Sequence, residues 1–216
     1  MRKAIVSMGI GPQARLLRLM TATVVPYASR HEYDLHLLAG VLDRERPPSW
    51  SRIKAFQRLQ AEYDVLVWLD ADLMVVDGRV DIASELEPGR FLYLVEHRTR
   101  EGQVPNAGVM MVRTGDECAQ FLEEVWAQED LVDHPWWESA AIARLLGYEL
   151  DPARPVTETP WRARTKLLSG RWNSIPDSPT GSPRIRHYPG YKVRTRAAFM
   201  ARDLAVTSAR AAIGRG

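Results

Sequence analysis

A chain of 216 residues can bury one sizeable core, or at most two small ones. With 45% apolar and 26% charged residues it has the composition of a globular domain, not of a disordered or fibrous chain. A net charge of +2 leaves no global basis for nucleic-acid binding, and the single cysteine, Cys118, excludes an internal disulfide or a Cys-based metal cluster. No signal peptide is readable, because the apolar stretch Ala4 to Ile10 is short and runs into Gly11-Pro12. With no run of about 18 apolar residues, a soluble cytoplasmic protein is expected.

Strand-like runs alternate with helical patterns as far as Gly147, which predicts an α/β layered domain. KAIVSMG reads as a first strand, and PQARLLRLMTAT follows with Leu16, Leu17 and Met20 at helical spacing. YDLHLLAG alternates as a second strand. The loop RERPPSW leads to a helix, RIKAFQRLQAEY, with Ser49 or Ser51 as its cap. DVLVWLDADLMVVDG is the most apolar stretch and reads as one buried central strand. FLYLVEH and AGVMMVR are further strands, and helices are expected over Asp116 to Gln128 and Pro135 to Leu146. Beyond Gly147, DPARPVTETP and SIPDSPTGSP are too rich in Pro, Ser and Thr for long regular elements, and TKLLSG and RIRHY are short strands. The chain closes on a basic helical stretch that frays at Gly214.

The candidate chemistry begins with Asp70 and Asp72. Roughly one Asp-x-Asp arises by chance in a chain of this composition, so the spacing alone carries little. Its context carries more, since ligands of open α/β sheets bind beyond the carboxyl ends of strands, and Val65 to Leu69 leads directly into Asp70. Two acids at i and i+2 offer oxygens to one hard cation, Mn²⁺ or Mg²⁺, that keeps positions open for phosphate. The plainer alternative is a turn cap and a solvated acid. In HYPGYK, His187 precedes a Pro-Gly turn, Gly190 lets backbone approach a ligand, and Lys192 adds a cation; a loop histidine is the alternative. Asn106 and Gly108 open a strand in a way that suits a polyhydroxylated ligand or an ordinary turn. Trp137 and Glu138 open a helix, and Trp172 with Asn173 sits in a Gly-containing loop; aromatic faces of this kind stack on sugars or simply fill a core. His31, His36, His97 and His134 need no special role.

In order, WLDAD, NAG, WWES, RWN and HYPGYK resemble the GT-A-fold glycosyltransferases, most closely the retaining group of yeast-type α-galactosyl and α-mannosyltransferases and plant xyloglucan xylosyltransferases. The resemblance runs from Tyr33 to Lys192, and glycogenin-like transferases share the DxD and HxxGxK elements. It implies a single GT-A domain over residues 1–192, with a Rossmann-like, mostly parallel central sheet flanked by helices. The donor half would span about 1–113 and the closing half about 114–192, followed by a basic helix or tail over 193–216. It further implies that Asp70, Asp72 and His187 hold Mn²⁺ or Mg²⁺. A UDP- or GDP-linked sugar would be bound by Ser7, Lys54, Asp70, Ala71, Asp72, Asn106, Gly108, Gly190 and Lys192, with Glu138 and Asn106 at the reacting carbon. Trp137, Trp172 and Asn173 would meet a carbohydrate, small-molecule or lipid-linked acceptor. Ser139 stands where Gln often follows the acid in this group.

A phosphatase of the haloacid-dehalogenase type also uses Asp-x-Asp, but in its first strand and followed by Thr or Val, unlike Leu73-Met74 here. A nucleotidyltransferase of related fold would want a richer version of GIGPQAR after the first strand, and a non-catalytic nucleotide- or sugar-binding protein is the remaining alternative. At the C-terminus, Arg194, Arg196, Arg202 and Arg210 with Phe199, Met200, Leu204 and Ile213 describe either a basic amphipathic helix on the inner face of an anionic membrane or a solvated terminal helix.

Overall fold

In this computed structural model, which describes residues 1–99, 102–151 and 153–213, the first apolar run forms strand β1 (Lys3–Met8). The fraying expected at Gly214 lies outside the described residues. Helix α1 (Gln13–Arg30) buries Leu16, Met20, Val24 and Tyr27, a three-and-four spacing that lays one face on the sheet. Strand β2 (Tyr33–Leu38) returns parallel to β1. Helix α2 (Ser51–Leu59) buries Ile53 and Phe56 and leads to β3 (Val65–Leu69), parallel to β1 on its other side. Neither serine caps α2; the Ser51 hydroxyl instead accepts the Leu42 N–H at 3.0 Å and holds the preceding loop.

The run Asp64 to Gly78, expected as one strand, is two. After β3 the Asp70 N–H donates to the Gly108 carbonyl, and β4 (Leu73–Val75) then leaves for a separate two-stranded sheet. Strands β5 (Leu92–Thr99) and β6 (Gly102–Arg113) follow, with β6 antiparallel to both β5 and β3. Helices α3 (Asp116–Trp126) and α4 (Glu138–Leu145) come next. The Pro-rich stretch after Gly147 holds a short hairpin missed by composition, β7 (Tyr148–Leu150) with β8 (Ala153–Pro155). Helix α5 (Pro160–Ala163), β9 (Thr165–Leu168), β10 (Ile185–His187) and α6 (Val193–Ile213) complete the chain.

The main sheet runs β2-β1-β3-β6-β5-β9, with β6 opposed to the other strands of this path. Both faces are covered, which explains the unbroken apolar run of β3: Leu66 and Trp68 join Trp50, Phe56 and Phe121 beneath α2 and α3, while Val65, Val67 and Leu69 join Leu16, Met20 and Met200 beneath α1 and α6. Helix α6 buries Ala197 and Met200, and Phe199 packs on Tyr188 and Tyr191. Phe199, Met200 and Leu204, which one of the two expectations set against a membrane, pack on the body of the protein. Among the described residues no helix is long and apolar enough to cross a membrane.

Candidate active site

Three elements converge beyond the end of β3. The β4–β10 pairing sets His187 opposite Leu73, and the Tyr188 N–H donates to the Asp72 carbonyl at 3.1 Å, so the histidine reaches the acids across a fixed register. His187 Nε2 lies 3.2 Å from Asp72 Oδ1 and 3.7 Å from Asp70 Oδ2. Asp70, Asp72 and His187 each offer a ligand atom, all within 4.8 Å of one another, and so form a group able to hold a metal ion. Two carboxylate oxygens and one imidazole nitrogen suit a divalent ion such as Mn²⁺ and leave coordination positions for a substrate.

The ring is oriented from behind. Strand β6 carries a bulge opposite the Leu94–Val95 step, so Asn106 pairs with Val95 while Val109 pairs with Leu69 of β3, and the intervening residues swing toward Asp70. Asn106 Oδ1 accepts the Gly108 N–H at 2.9 Å and the Asn173 amide at 2.9 Å. That fixes the Asn173 amide, whose oxygen lies 3.0 Å from His187 Nδ1. A carbonyl oxygen only accepts, so Nδ1 carries a proton and Nε2 faces the carboxylates, the arrangement typical of a metal-ligating histidine. Burial disfavours the charged ring, but Asp72 and Asp70 outweigh it and raise the His187 pKa. Burial likewise opposes ionisation of Asp72, yet His187 and Arg196 leave its pKa below the usual value.

Two arginines that sequence reasoning missed stand on these acids. Arg52, on α2, reaches Asp70 Oδ1 at 2.7 Å, an oxygen that also accepts the Trp68 indole N–H at 2.7 Å. The other end of that guanidinium lies 3.2 Å from Glu138 Oε1. Glu138, 1% exposed, is held above the ordinary carboxylate range by burial despite Arg52. Arg196, on α6, reaches Asp72 Oδ2 at 2.8 Å.

These residues line a cavity of about 1230 Å³, with Ala71, Asn106, Gly108, Trp137 and Gly190 also in its wall. Gly190 makes its turn with φ 79°, which favours glycine, and nothing lies near its Cβ position. Trp137, 45% exposed at the mouth, adopts φ 48° immediately before α4, an unusual backbone for a bulky residue and one found preferentially at functional sites. Other expectations are corrected. Lys54 lies 3.8 Å from the Trp126 ring centroid, because the α2 face that carries it turns to α3 and not to the cavity. Lys192 is exposed and outside the cavity wall, where Arg196 takes the inward place four residues later. Ser7 is buried in β1 and does not reach the wall. Trp172 is buried, its indole N–H donating to Glu85, so it is a core wedge and not an acceptor platform. Asn173 acts behind His187. Gly108 makes room for the His187 ring. His97, for which no special role is expected, lines the cavity with its Nε2 buried and without a partner among the described residues, and burial followed by His187 pushes its pKa down to about 4.

No family model matches the chain, and no curated protein matches it in sequence. Solved structures do match. One is a glycosyltransferase involved in glycosylating the major capsid of PBCV-1, with TM-score 0.68, 18% identity, and coverage of 93% of this chain and 99% of that one. The galactosyltransferase LgtC, solved with donor and acceptor sugar analogues, gives TM-score 0.64 and 12% identity over 94% of this chain and 95% of that one. GlyE of Streptococcus pneumoniae gives TM-score 0.58 and 15% identity over 95% of this chain and 63% of that one. The protein therefore has the GT-A glycosyltransferase fold, a single α/β domain with a mostly parallel central sheet.

Proposed function

We propose that this chain is a metal-dependent glycosyltransferase that moves a sugar from a nucleotide-diphosphate donor to an acceptor hydroxyl with retention of configuration. The observation that carries the reading is the convergence of Asp70 Oδ2, Asp72 Oδ1 and His187 Nε2 at the strand ends, in the wall of a cavity large enough for such a donor. A divalent ion bound there would neutralise charge developing on the leaving diphosphate. The protein's own part is positional. Asn173 and Asn106 hold His187 in the ligating tautomer, and Arg52 with the Trp68 indole fixes the Asp70 rotamer. Glu138, paired to Arg52 and lining the cavity, is placed to meet the donor sugar near its reacting carbon. Trp137 offers an aromatic face to an acceptor at the mouth.

The test is a thermal-shift screen of UDP- and GDP-sugars with Mn²⁺, followed by donor hydrolysis on the hits. A donor that shifts the melting temperature only with the ion is expected, with hydrolysis falling about 10²- to 10³-fold in Asp72→Asn. No shift with any donor, together with wild-type behaviour of Asp72→Asn, rejects the reading and leaves the fold serving some other end.

One observation favours a second stereochemical course. Asp177 is, among the described residues, the carboxylate of the cavity wall with neither ion pair nor hydrogen bond, and an inverting transferase needs a base of that kind. Retention predicts that Asp177→Asn keeps most of its turnover and that the product anomer matches the donor by NMR. An inverted product, lost with Asp177→Asn, replaces retention with inversion.

A further inference from the structure

The two guanidinium groups on the Asp70–Asp72–His187 group are held very differently. The Arg52 side chain is 4% exposed and is boxed in by the Trp68 ring, with its centroid 5.0 Å away, and by Asp70 and Glu138. Moving it would strand a buried charge. The Arg196 side chain is 19% exposed and lies in the cavity wall, donating from Nε to the Tyr191 carbonyl at 2.6 Å as well as to Asp72. It sits in the first turn of α6, and its backbone N–H bonds to the carbonyl of Lys192 one turn earlier. Arg196 can therefore pivot into the cavity without unfolding its helix, whereas Arg52 cannot.

Charge decides what such a pivot is for. Three acids, Asp70, Asp72 and Glu138, already face three basic groups, Arg52, Arg196 and His187, with Arg52 and Arg196 on the two aspartates at 2.7 and 2.8 Å. A dication added to that matched set leaves surplus positive charge in a largely buried place, which is unfavourable. A diphosphate brings at least the two negative charges that cancel the surplus, and guanidinium pairs with phosphate oxygens in a planar, bidentate fashion. We propose that Arg196 makes cation binding conditional on the donor's diphosphate: it is the counter-charge that a cation displaces from Asp72, and the phosphates then receive its guanidinium. The inference rests on the nucleotide-sugar reading above and adds to it a residue, a direction of movement and a coupling. By linkage the coupling is reciprocal, so the diphosphate alone also binds poorly.

The experiment uses the whole chain, with Mn²⁺ alone and a preformed Mn²⁺–pyrophosphate complex as probes in calorimetric titrations. Wild type is expected to take the complex at least about tenfold more tightly than the bare ion. Arg196→Gln, checked for an intact fold by circular dichroism, is expected to close that gap from both sides, with tighter binding of Mn²⁺ and weaker binding of the complex. In wild type, hydrogen exchange over residues 191–197 should change with the complex and not with Mn²⁺ alone; this readout needs no variant. An equal gap in wild type and Arg196→Gln, or exchange that responds to Mn²⁺ alone, overturns the inference and leaves Arg196 as a residue that merely orients Asp72. A different result marks failure of the underlying reading: neither probe binds wild type, or binding survives Asp72→Asn.

Discussion

A methyl group on Gly108 would lie 2.2 Å from His187 Cε1 and 2.6 Å from its Nδ1, closer than real side chains approach. The ring, pinned by Asn173, has to move. Gly108→Ala is therefore expected to lower Mn²⁺–pyrophosphate affinity by about 10- to 100-fold with the fold retained, and Asn173→Ala to act in the same direction. Calorimetric titration of both variants checks this, and wild-type affinity in Gly108→Ala would show that the ring is not a ligand. His97 makes a prediction of opposite signs. Its buried, unpartnered Nε2 costs the fold about 1–3 kcal/mol unless something bonds to it, and a sugar hydroxyl in the cavity is suited to do so. His97→Leu should raise the melting temperature and raise KM for the sugar substrate. A variant that melts lower with KM unchanged would show that His97 is only packing.

At the scale of elements, the site depends on how two late pieces of chain are tied to an early one. Strand β10 pairs with β4, and α6 is fastened to β10 and the residue after it by Asp203, a buried carboxylate that accepts from Arg186 at 2.5 Å and from the Tyr188 hydroxyl. Asp203→Ala leaves the Tyr188 hydroxyl buried without its partner and should cost about 2–3 kcal/mol in urea unfolding. It should also loosen the seat of Arg196. Equal stability with wild type would mean that apolar contacts alone dock α6. How far these elements were legible follows from particular residues. Strands β1 and β3 and the second half of β6, from Ala107, were readable because burial on both faces leaves a continuous apolar run, whereas Gly102 to Asn106 of β6 lack one. The break at Asp70 was not, because the chain leaves the sheet through the Asp70–Gly108 backbone bond, a pairing of distant residues that no local pattern encodes. The β7–β8 hairpin was hidden by its prolines for a similar reason: its partner is the start of β6.

Across the whole molecule, one polar anchor joins the first two strands to the loop after β4. Asp81 accepts from Lys3 at 2.7 Å, from the Tyr33 hydroxyl at 2.6 Å and from the Ala83 N–H at 2.9 Å. Burial opposes its ionisation, but Lys3 and Tyr33 outweigh that and depress its pKa. A depressed folded-state pKa stabilises the protein above the unfolded value of about 3.9, and this contribution is lost as pH falls toward the depressed one. Urea midpoints from pH 7 to pH 3 should thus fall more steeply for wild type than for Asp81→Asn, which starts lower and is flatter. Parallel profiles would place the acid sensitivity elsewhere.

The amino-acid order alone determined the alternating α/β plan, the strand that delivers Asp70 and Asp72, and the glycine turn after His187, because apolar periodicity, strand ends and turn residues are local properties. Which charges gather at the carboxylates was decided only by tertiary structure. Lys54 and Lys192 lie within two and four residues of Arg52 and Arg196, and nothing in composition separates each pair. The docking of α2 on α3 turns Lys54 onto Trp126 and Arg52 onto Asp70, whereas Lys192 stays exposed in the turn before α6 and Arg196, in the first turn of that helix, reaches Asp72. A helix presents a different face every 100° or so, and only its packing partner fixes which face meets the site.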